Sequence, residues 1–342
     1  MEAIAAVRLL EETARIAPVP PAGLVRLHDA RALLGEDIAR VEASLLAAAA
    51  DGCAPATDAA AHLLTSGGKR VRPLCVLLGA LACGEITGEA RSLAAVAEMI
   101  HLATLLHDDV VDDAEERRGQ PVAGRVFGNA VSVLAGDSLL VHALERTSRV
   151  DRPETLRELF ATLRRLVDGE VIQLRGRTRL DASEETYASI LEGKTASLFR
   201  WALRAGARAG GGSEVDIDAL GAFGGHLGVA FQLVDDALDY TGGQLGKDLN
   251  ADLREGKVTL PLILAAKREP DLYDSLERVR AGAPHPGERE RLLAAGARAA
   301  GEVRERAWSE SRRALEELAA LRESPARALL GAVARELVAR LS

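Results

Sequence analysis

Apolar positions recur every three to four residues along most of the chain, and the recurrence is interrupted by short polar stretches bearing glycine or proline. That spacing places one apolar stripe on each segment at the helical period. Residues 1–23 are predicted to form a short N-terminal helical extension closed by Pro18, Pro20 and Pro21. From about residue 24 helices follow one another, with breaks at Asp51–Pro55, Gly67–Pro73, Gly84–Gly88, Gly119–Pro121, Asp151–Pro153, Arg175–Ala182, Gly210–Ser213 and Gly242–Gly246. Asp151-Arg152-Pro153 reads as an N-cap followed by a proline in the first turn. Ala283–Gly287 reads as a surface loop, and residues 288–342 as two closing helices. No low-complexity linker separates these segments, so one domain is predicted over residues 1–342.

Composition strengthens the helical reading. Hydrophobic residues make up 48% of the 342, Ala and Leu foremost among them, while aromatics contribute 3%. Ala and Leu favour helices and the aromatic strand formers are scarce, so an all-α protein is expected. A net charge of −8 argues against a general nucleic-acid surface, and any anionic substrate must be met by local arginines, lysines or metal ions. Cys53, Cys75 and Cys83 have neither disulfide-framework nor zinc spacing, which fits a reducing cytoplasm. The acidic, proline-rich start is unlike a signal peptide, and no run of about 18 uninterrupted apolar residues predicts a membrane span.

Two acidic clusters carry the first chemical signal. LLHDDVVDD (105–113) and QLVDDALDY (232–240) each end an apolar helical run with aspartates at DDxxD spacing. On a helix, residues four apart share a face about 5–6 Å from each other, so Asp108 lies beside Asp112 and Asp235 beside Asp239, flanked by Asp109 and Asp236. One such run is ordinarily a solvated face; two, each directly behind an apolar segment, ask for a cation to offset their repulsion. Hard carboxylate oxygens suit Mg²⁺, which takes one or two carboxylates together with substrate phosphate. Glu115 and Glu116 have no such support and read as solvated.

Basic elements complement them. GGKRVRP (67–73) sets Lys69, Arg70 and Arg72 in a glycine-rich turn that a ligand can approach closely, and Arg117 and Arg118 follow the first acidic cluster. Lys194, Lys247 and Lys257 read singly as surface lysines. His101 stands two helical turns before Asp108, and spacing alone leaves it open between a packed core residue and a ligand contact. TGGQLGKD (241–248) lacks the first glycine and the final Ser or Thr of a nucleotide-binding P-loop, and neither HExxH nor GxSxG occurs. Two acidic and two cationic sets together imply a site for more than one diphosphate, where a carbon–oxygen bond breaks.

In five ordered motifs the sequence resembles the trans-prenyl diphosphate synthases, the head-to-tail polyprenyl synthetase family. The motifs are GGKRVRP, LLHDDVVDDAEERRG, GDSLL (136–140), EGKTASLF (192–199), and FQLVDDALDYTG with GKDLNADLREGKVTLP. They cover a core at about 60–265, with 266–342 as closing helices. The resemblance implies a single helical bundle of the isoprenoid synthase type around a central cavity. It implies that Asp108, Asp109 and Asp112 hold Mg²⁺ and the allylic diphosphate, and that Asp235, Asp236 and Asp239 hold further Mg²⁺, three ions in all. It assigns Lys69, Arg72, His101 and Arg118 to isopentenyl diphosphate and Arg117, Lys194, Lys247 and Lys257 to the allylic diphosphate, with Arg70 also among the substrate-binding residues. Thr195 and Gln232 would lie beside the reacting carbons, and the enzyme would be a cytoplasmic homodimer.

Product length is expected from the helix leading into the first cluster. Ala103 and Thr104 stand where short-chain relatives place a bulky aromatic floor, and Met99 and Ile100 lie one turn further up. A small floor predicts a long product, about eight to ten isoprene units by family analogy, while Met99 or Ile100 would stop the chain at roughly four. The rival readings are a shorter-chain synthase, a class I terpene cyclase and a non-catalytic subunit. A cyclase leaves GGKRVRP with nothing to bind, and a non-catalytic subunit commonly lacks one of the two aspartate sets.

Overall fold

The computed structural model describes residues 27–241, 253 and 256–339; the expected N-terminal helix, Lys247 and the Gly242–Gly246 break lie outside the described residues. The chain divides into two compact units. The first takes the described residues up to Leu159 with Trp201–Gly221 and Leu318–Ala332; the second takes Phe160–Arg200, Ala222–Glu317 and the chain from Val333. Both are helical, as the composition predicts.

In the first unit, α1 (Leu27–Ala50), α2 (Ala56–Thr65), α3 (Val71–Cys83) and α4 (Gly88–Val111) come first. A short hairpin follows, then α5 (Ala123–Phe127), α6 (Asn129–Ser148) and the opening of α7 (Pro153–Thr178). Helix α4 is central. Its N-terminus is capped by the Thr87 hydroxyl, which accepts from the Ala90 N–H at 3.0 Å. Leu93, Val96, Met99, Ile100 and Leu106 on it are fully buried. It lies closest along α6, and the reason sits in the GDSLL motif: a Cβ at Gly136 would stand 2.3 Å from His107 Nε2 and 3.1 Å from the Ala103 carbonyl. Ser132 on α6 donates to the Leu106 carbonyl at 3.0 Å, tying the two helices together.

Helix α9 (Ser197–Ala209) crosses α3 through glycines. A Cβ at Gly206 would come within 2.1 Å of the Val76 carbonyl, one at Gly210 within 2.2 Å of Ala80, and one at Gly79 within 2.9 Å of Leu203. Pro153 opens α7 as expected, but it is the first helical residue, so Arg152 rather than Asp151 takes the cap place. Helix α7 also runs four residues into the predicted Arg175–Ala182 break.

The second unit holds the rest of α7, α8 (Glu184–Leu191), a π-helical turn (Glu192–Ala196) and the body of α10 (Glu214–Thr241). Beyond these come α11 (Leu260–Arg268), α12 (Leu272–Arg280), α13 (Glu288–Glu317) and the end of α14 (Pro325–Ala339). Ala230, Leu233, Val234 and Ala237 of α10 form its core with Leu262, Leu276, Leu292 and Val303. Glycines again set the spacing: a Cβ at Gly169 would lie 2.9 Å from Lys194 N, and one at Gly228 2.7 Å from the Ala196 Cα. The π turn is therefore clasped between α7 and α10. Among the described residues, α10 alone is long and apolar enough to cross a bilayer, yet 67% of its apolar stretch is buried inside the protein, as in a core helix.

Candidate active site

Helix α4 delivers the first acidic cluster at its C-terminal end. Asp108 and Asp109 occupy its last turn, and Asp112 caps it, its N–H donating to the Asp108 carbonyl at 2.7 Å. The negative end of a helix dipole disfavours anions by roughly 0.3–1 kcal/mol each, so three carboxylates there call for positive charge. Arg117 supplies part of it: Nη2 and Nε donate to Asp109 Oδ1 at 2.7 and 3.0 Å, with Asp109 buried. Asp108 and Asp112 remain partly exposed.

Arg117 is placed by a hairpin the helical periodicity does not reveal. Glu116–Arg117 pairs antiparallel with Gln120–Pro121 across Arg118 and Gly119, which have φ of 57° and 74°. Two positive φ values in a two-residue loop are the type I′ turn, which usually takes Asn-Gly. Arg70 and Asp113 also have positive φ, so the three non-glycine residues in the left-handed region among those described all flank this site. Arg118 Nη1 reaches the Ser66 carbonyl at 3.5 Å and would lie 3.5 Å from a Cβ at Gly68. The glycine thus makes room for guanidinium groups beside the GGKRVRP loop.

The cations crowd one another. Burial first, and then the fields of Arg72, Arg117, Arg118 and Arg70, hold the partly buried His101 ring well below the ordinary imidazole range, so it is neutral. Burial and then Arg117 and Arg70 also lower Arg118. Burial lowers Arg72 against the opposing field of Glu98. An anion of two or more charges would relieve all three. Arg70 is the exception. Its Nε donates to Glu42 Oε1 at 2.6 Å and its Nη1 to Glu98 Oε1 at 3.1 Å, and it is buried. Arg70, expected on a substrate, is thus held between two carboxylates and braces the loop.

In the second unit a cavity of about 1010 Å³ brings Lys194, Thr195, Gln232, Asp236 and Lys257 together, with Tyr187 on its wall. Lys194 and Thr195 sit in the π turn, a feature often found where a helix serves a site. Lys194 is ion-paired to Glu170. Asp235, Asp236 and Asp239 occupy the last two turns of α10, again at the negative end of a dipole. Burial raises Asp236 to about 6; the Tyr187 and Gln232 hydrogen bonds oppose that, and the fields of Asp235 and Asp239 add to it.

Among the described residues no three acidic, imidazole or thiol side chains converge to cage a metal ion alone. Mg²⁺ does not require that, since it keeps waters and shares its shell between one or two carboxylates and phosphate oxygens. The half-buried pairs Asp108/Asp112 and Asp235/Asp239 fit that demand. Met99 and Ile100 are fully buried and Ala103 is 3% exposed. Thr104 turns its hydroxyl back to the His101 carbonyl at 2.8 Å. None of these four lines the large cavity. Tyr187 escaped the sequence reading because it belongs to no charged pattern.

The polyprenyl synthetase family model matches residues 54–291. An all-trans-nonaprenyl-diphosphate synthase (geranyl-diphosphate specific) of Rhodobacter capsulatus is 39% identical over 274 residues, covering 79% of this chain and 84% of that protein. The crystal structure of a decaprenyl diphosphate synthase from Rhodobacter capsulatus superposes with a TM-score of 0.85 at 35% identity, covering 91% of this chain and 98% of the other. A polyprenyl synthase from Caulobacter crescentus CB15, complexed with calcium and isoprenyl diphosphate, gives 0.84 at 36% identity, covering 93% and 99%.

Proposed function

The chain belongs to the polyprenyl synthetase family and is a trans-prenyltransferase, and from that premise we propose that it elongates an allylic prenyl diphosphate with isopentenyl diphosphate, using Mg²⁺, to a long all-trans product. The observation that carries the reading is the crowding of Arg72, Arg117 and Arg118 around a neutral His101, directly beyond the aspartates that end α4. Lys69, Arg72, His101 and Arg118 would bind isopentenyl diphosphate. Arg117, Lys194 and Lys257 would meet the allylic diphosphate, and Lys247 would join them.

Asp108 and Asp112, and Asp235 and Asp239, would hold the magnesium ions; when bound, these draw negative charge from the leaving diphosphate. The carbon–oxygen bond breaks with its electron pair on the departing diphosphate, leaving an allylic cation. The π pair of isopentenyl diphosphate then forms the new carbon–carbon bond, and a proton is lost to the released diphosphate. The Thr195 hydroxyl and Gln232 amide stabilise the cation through their dipoles. The nonaprenyl and decaprenyl names of the relatives support a product of about eight to ten isoprene units.

We read the chain as one catalytic domain and as a homodimer. Val133, Leu134 and Val141 leave α6 with apolar side chains 37–59% exposed, a surface a second copy would cover. The free Cys53, Cys75 and Cys83 suit a reducing cytoplasm.

The test is incorporation of labelled isopentenyl diphosphate by the purified protein. It should proceed with Mg²⁺ and a farnesyl or geranylgeranyl diphosphate primer and stop with excess chelator. Asp108→Asn and Asp235→Asn should each lower kcat by about 100-fold or more. Incorporation that persists without divalent metal would overturn the reading.

A further inference from the structure

The cavity of the second unit contains an unbroken row of hydrogen bonds. Tyr187 on α8 donates its hydroxyl to Asp236 Oδ2 at 2.6 Å. Gln232 Nε2 donates to the other oxygen, Oδ1, at 2.8 Å. Thr195 Oγ1 donates in turn to Gln232 Oε1 at 3.1 Å. Asp236 is 2% exposed and Thr195 7%, and all four residues line the cavity.

Resting on the reading that Thr195 and Gln232 stand beside the reacting carbons, we propose that Tyr187 is a positioning residue of the condensation. With Asp236 it fixes the direction of every dipole in the row, so that Thr195 turns lone pairs, and not its proton, toward the allylic cation. The order follows from what each group can do. An ionised carboxylate only accepts, so Gln232 must present its NH₂ to Asp236. The amide oxygen then faces Thr195 and can only accept, which commits the hydroxyl proton to Gln232.

What Oγ1 has left is electron density, held ready where positive charge develops and needing no reorganisation when it does. Tyr187 matters because it fills the second oxygen of the carboxylate and stops it swinging away. Without it Asp236 loses one of two donors, Gln232 is free to flip its amide, and the Thr195 proton is free to point at the cation. The row also gives Asp236 a task different from its neighbours. Each of its oxygens already accepts a hydrogen bond, so it organises the site while Asp235 and Asp239 serve the metal.

The test is a kinetic double-mutant cycle on the full-length protein, with Mg²⁺, labelled isopentenyl diphosphate and farnesyl diphosphate, comparing Tyr187→Phe, Thr195→Val and the pair. Tyr187→Phe should lower kcat about tenfold with both KM values within about twofold. It should cost far less, about twofold, in the Thr195→Val background, because the hydroxyl it orients is gone and only the Gln232 dipole is left to lose. Losses that multiply in the pair, an unchanged kcat, or a rise in KM at constant kcat would overturn the proposal. Should Tyr187→Phe lose its cooperative melt, the cycle is run with Tyr187→Met, which also removes the hydroxyl donor, and the same outcomes decide. A wild type that incorporates no isopentenyl diphosphate takes down the functional reading; an active wild type with an additive cycle takes down the row alone.

Discussion

Burial and the fields of Arg72, Arg117, Arg118 and Arg70 keep His101 neutral in the folded chain, while an unfolded histidine titrates near 6.5. Between the folded value and 6.5 the unfolded chain binds more protons, so stability rises with pH across that window and erodes as pH falls through it. Melting temperatures from pH 7.5 down to 5.5 should therefore show the advantage of wild type over His101→Gln shrinking as the solution is acidified. Arg70 invites a harsher test. Removing it leaves the buried Glu98 carboxylate without its ion pair, and Arg70→Ala should destabilise the protein by about 3 kcal/mol in urea unfolding. Ala103, small and buried on α4, is the place to probe product length. Ala103→Phe should give shorter products by chromatography, and an unchanged length distribution would show that the growing chain does not pass it.

The helices themselves were legible from periodicity, because each apolar stripe buries one face and each break carries a glycine, a proline or an N-cap residue. What escaped were features that periodicity cannot encode. Strands of two residues, Glu116–Arg117 and Gln120–Pro121, are too short to show alternation, and an arginine is an unexpected occupant of a type I′ turn. The π turn at Glu192–Ala196 hides inside an otherwise helical pattern. The crossing of α3 and α9 depends on the absence of side chains at Gly79, Gly206 and Gly210, which reads in sequence as mere small-residue content. Gly206→Ala would drive a methyl into the Val76 carbonyl and force the two backbones apart. A loss of about 2–3 kcal/mol in chemical denaturation is expected, along with weakened isopentenyl diphosphate binding, because α3 carries Arg72 in its first turn.

For the molecule as a whole, the charged motifs point to the chemistry, and folding decides which partners their members meet. Arg70 stands among substrate-facing cations in the sequence, but its partners Glu42 and Glu98 lie 28 residues away on either side, beyond any local pattern. Tyr187 and Asp236 are 49 residues apart, and only folding makes them neighbours. Product sizing of the wild type with a geranylgeranyl primer should give one long-chain class, and a stop near four isoprene units would instead mark Met99 and Ile100 as the floor. The fields of Arg117 and Arg70 on Arg118, and of Asp235 and Asp239 on Asp236, also reach beyond catalysis. A protein supplied with inorganic diphosphate and Mg²⁺ at about 100 times the dissociation constant gains about 2.7 kcal/mol over an empty one. Limited proteolysis should therefore clear the idle protein sooner than the occupied one, so that substrate supply governs how long each molecule survives as well as how fast it works.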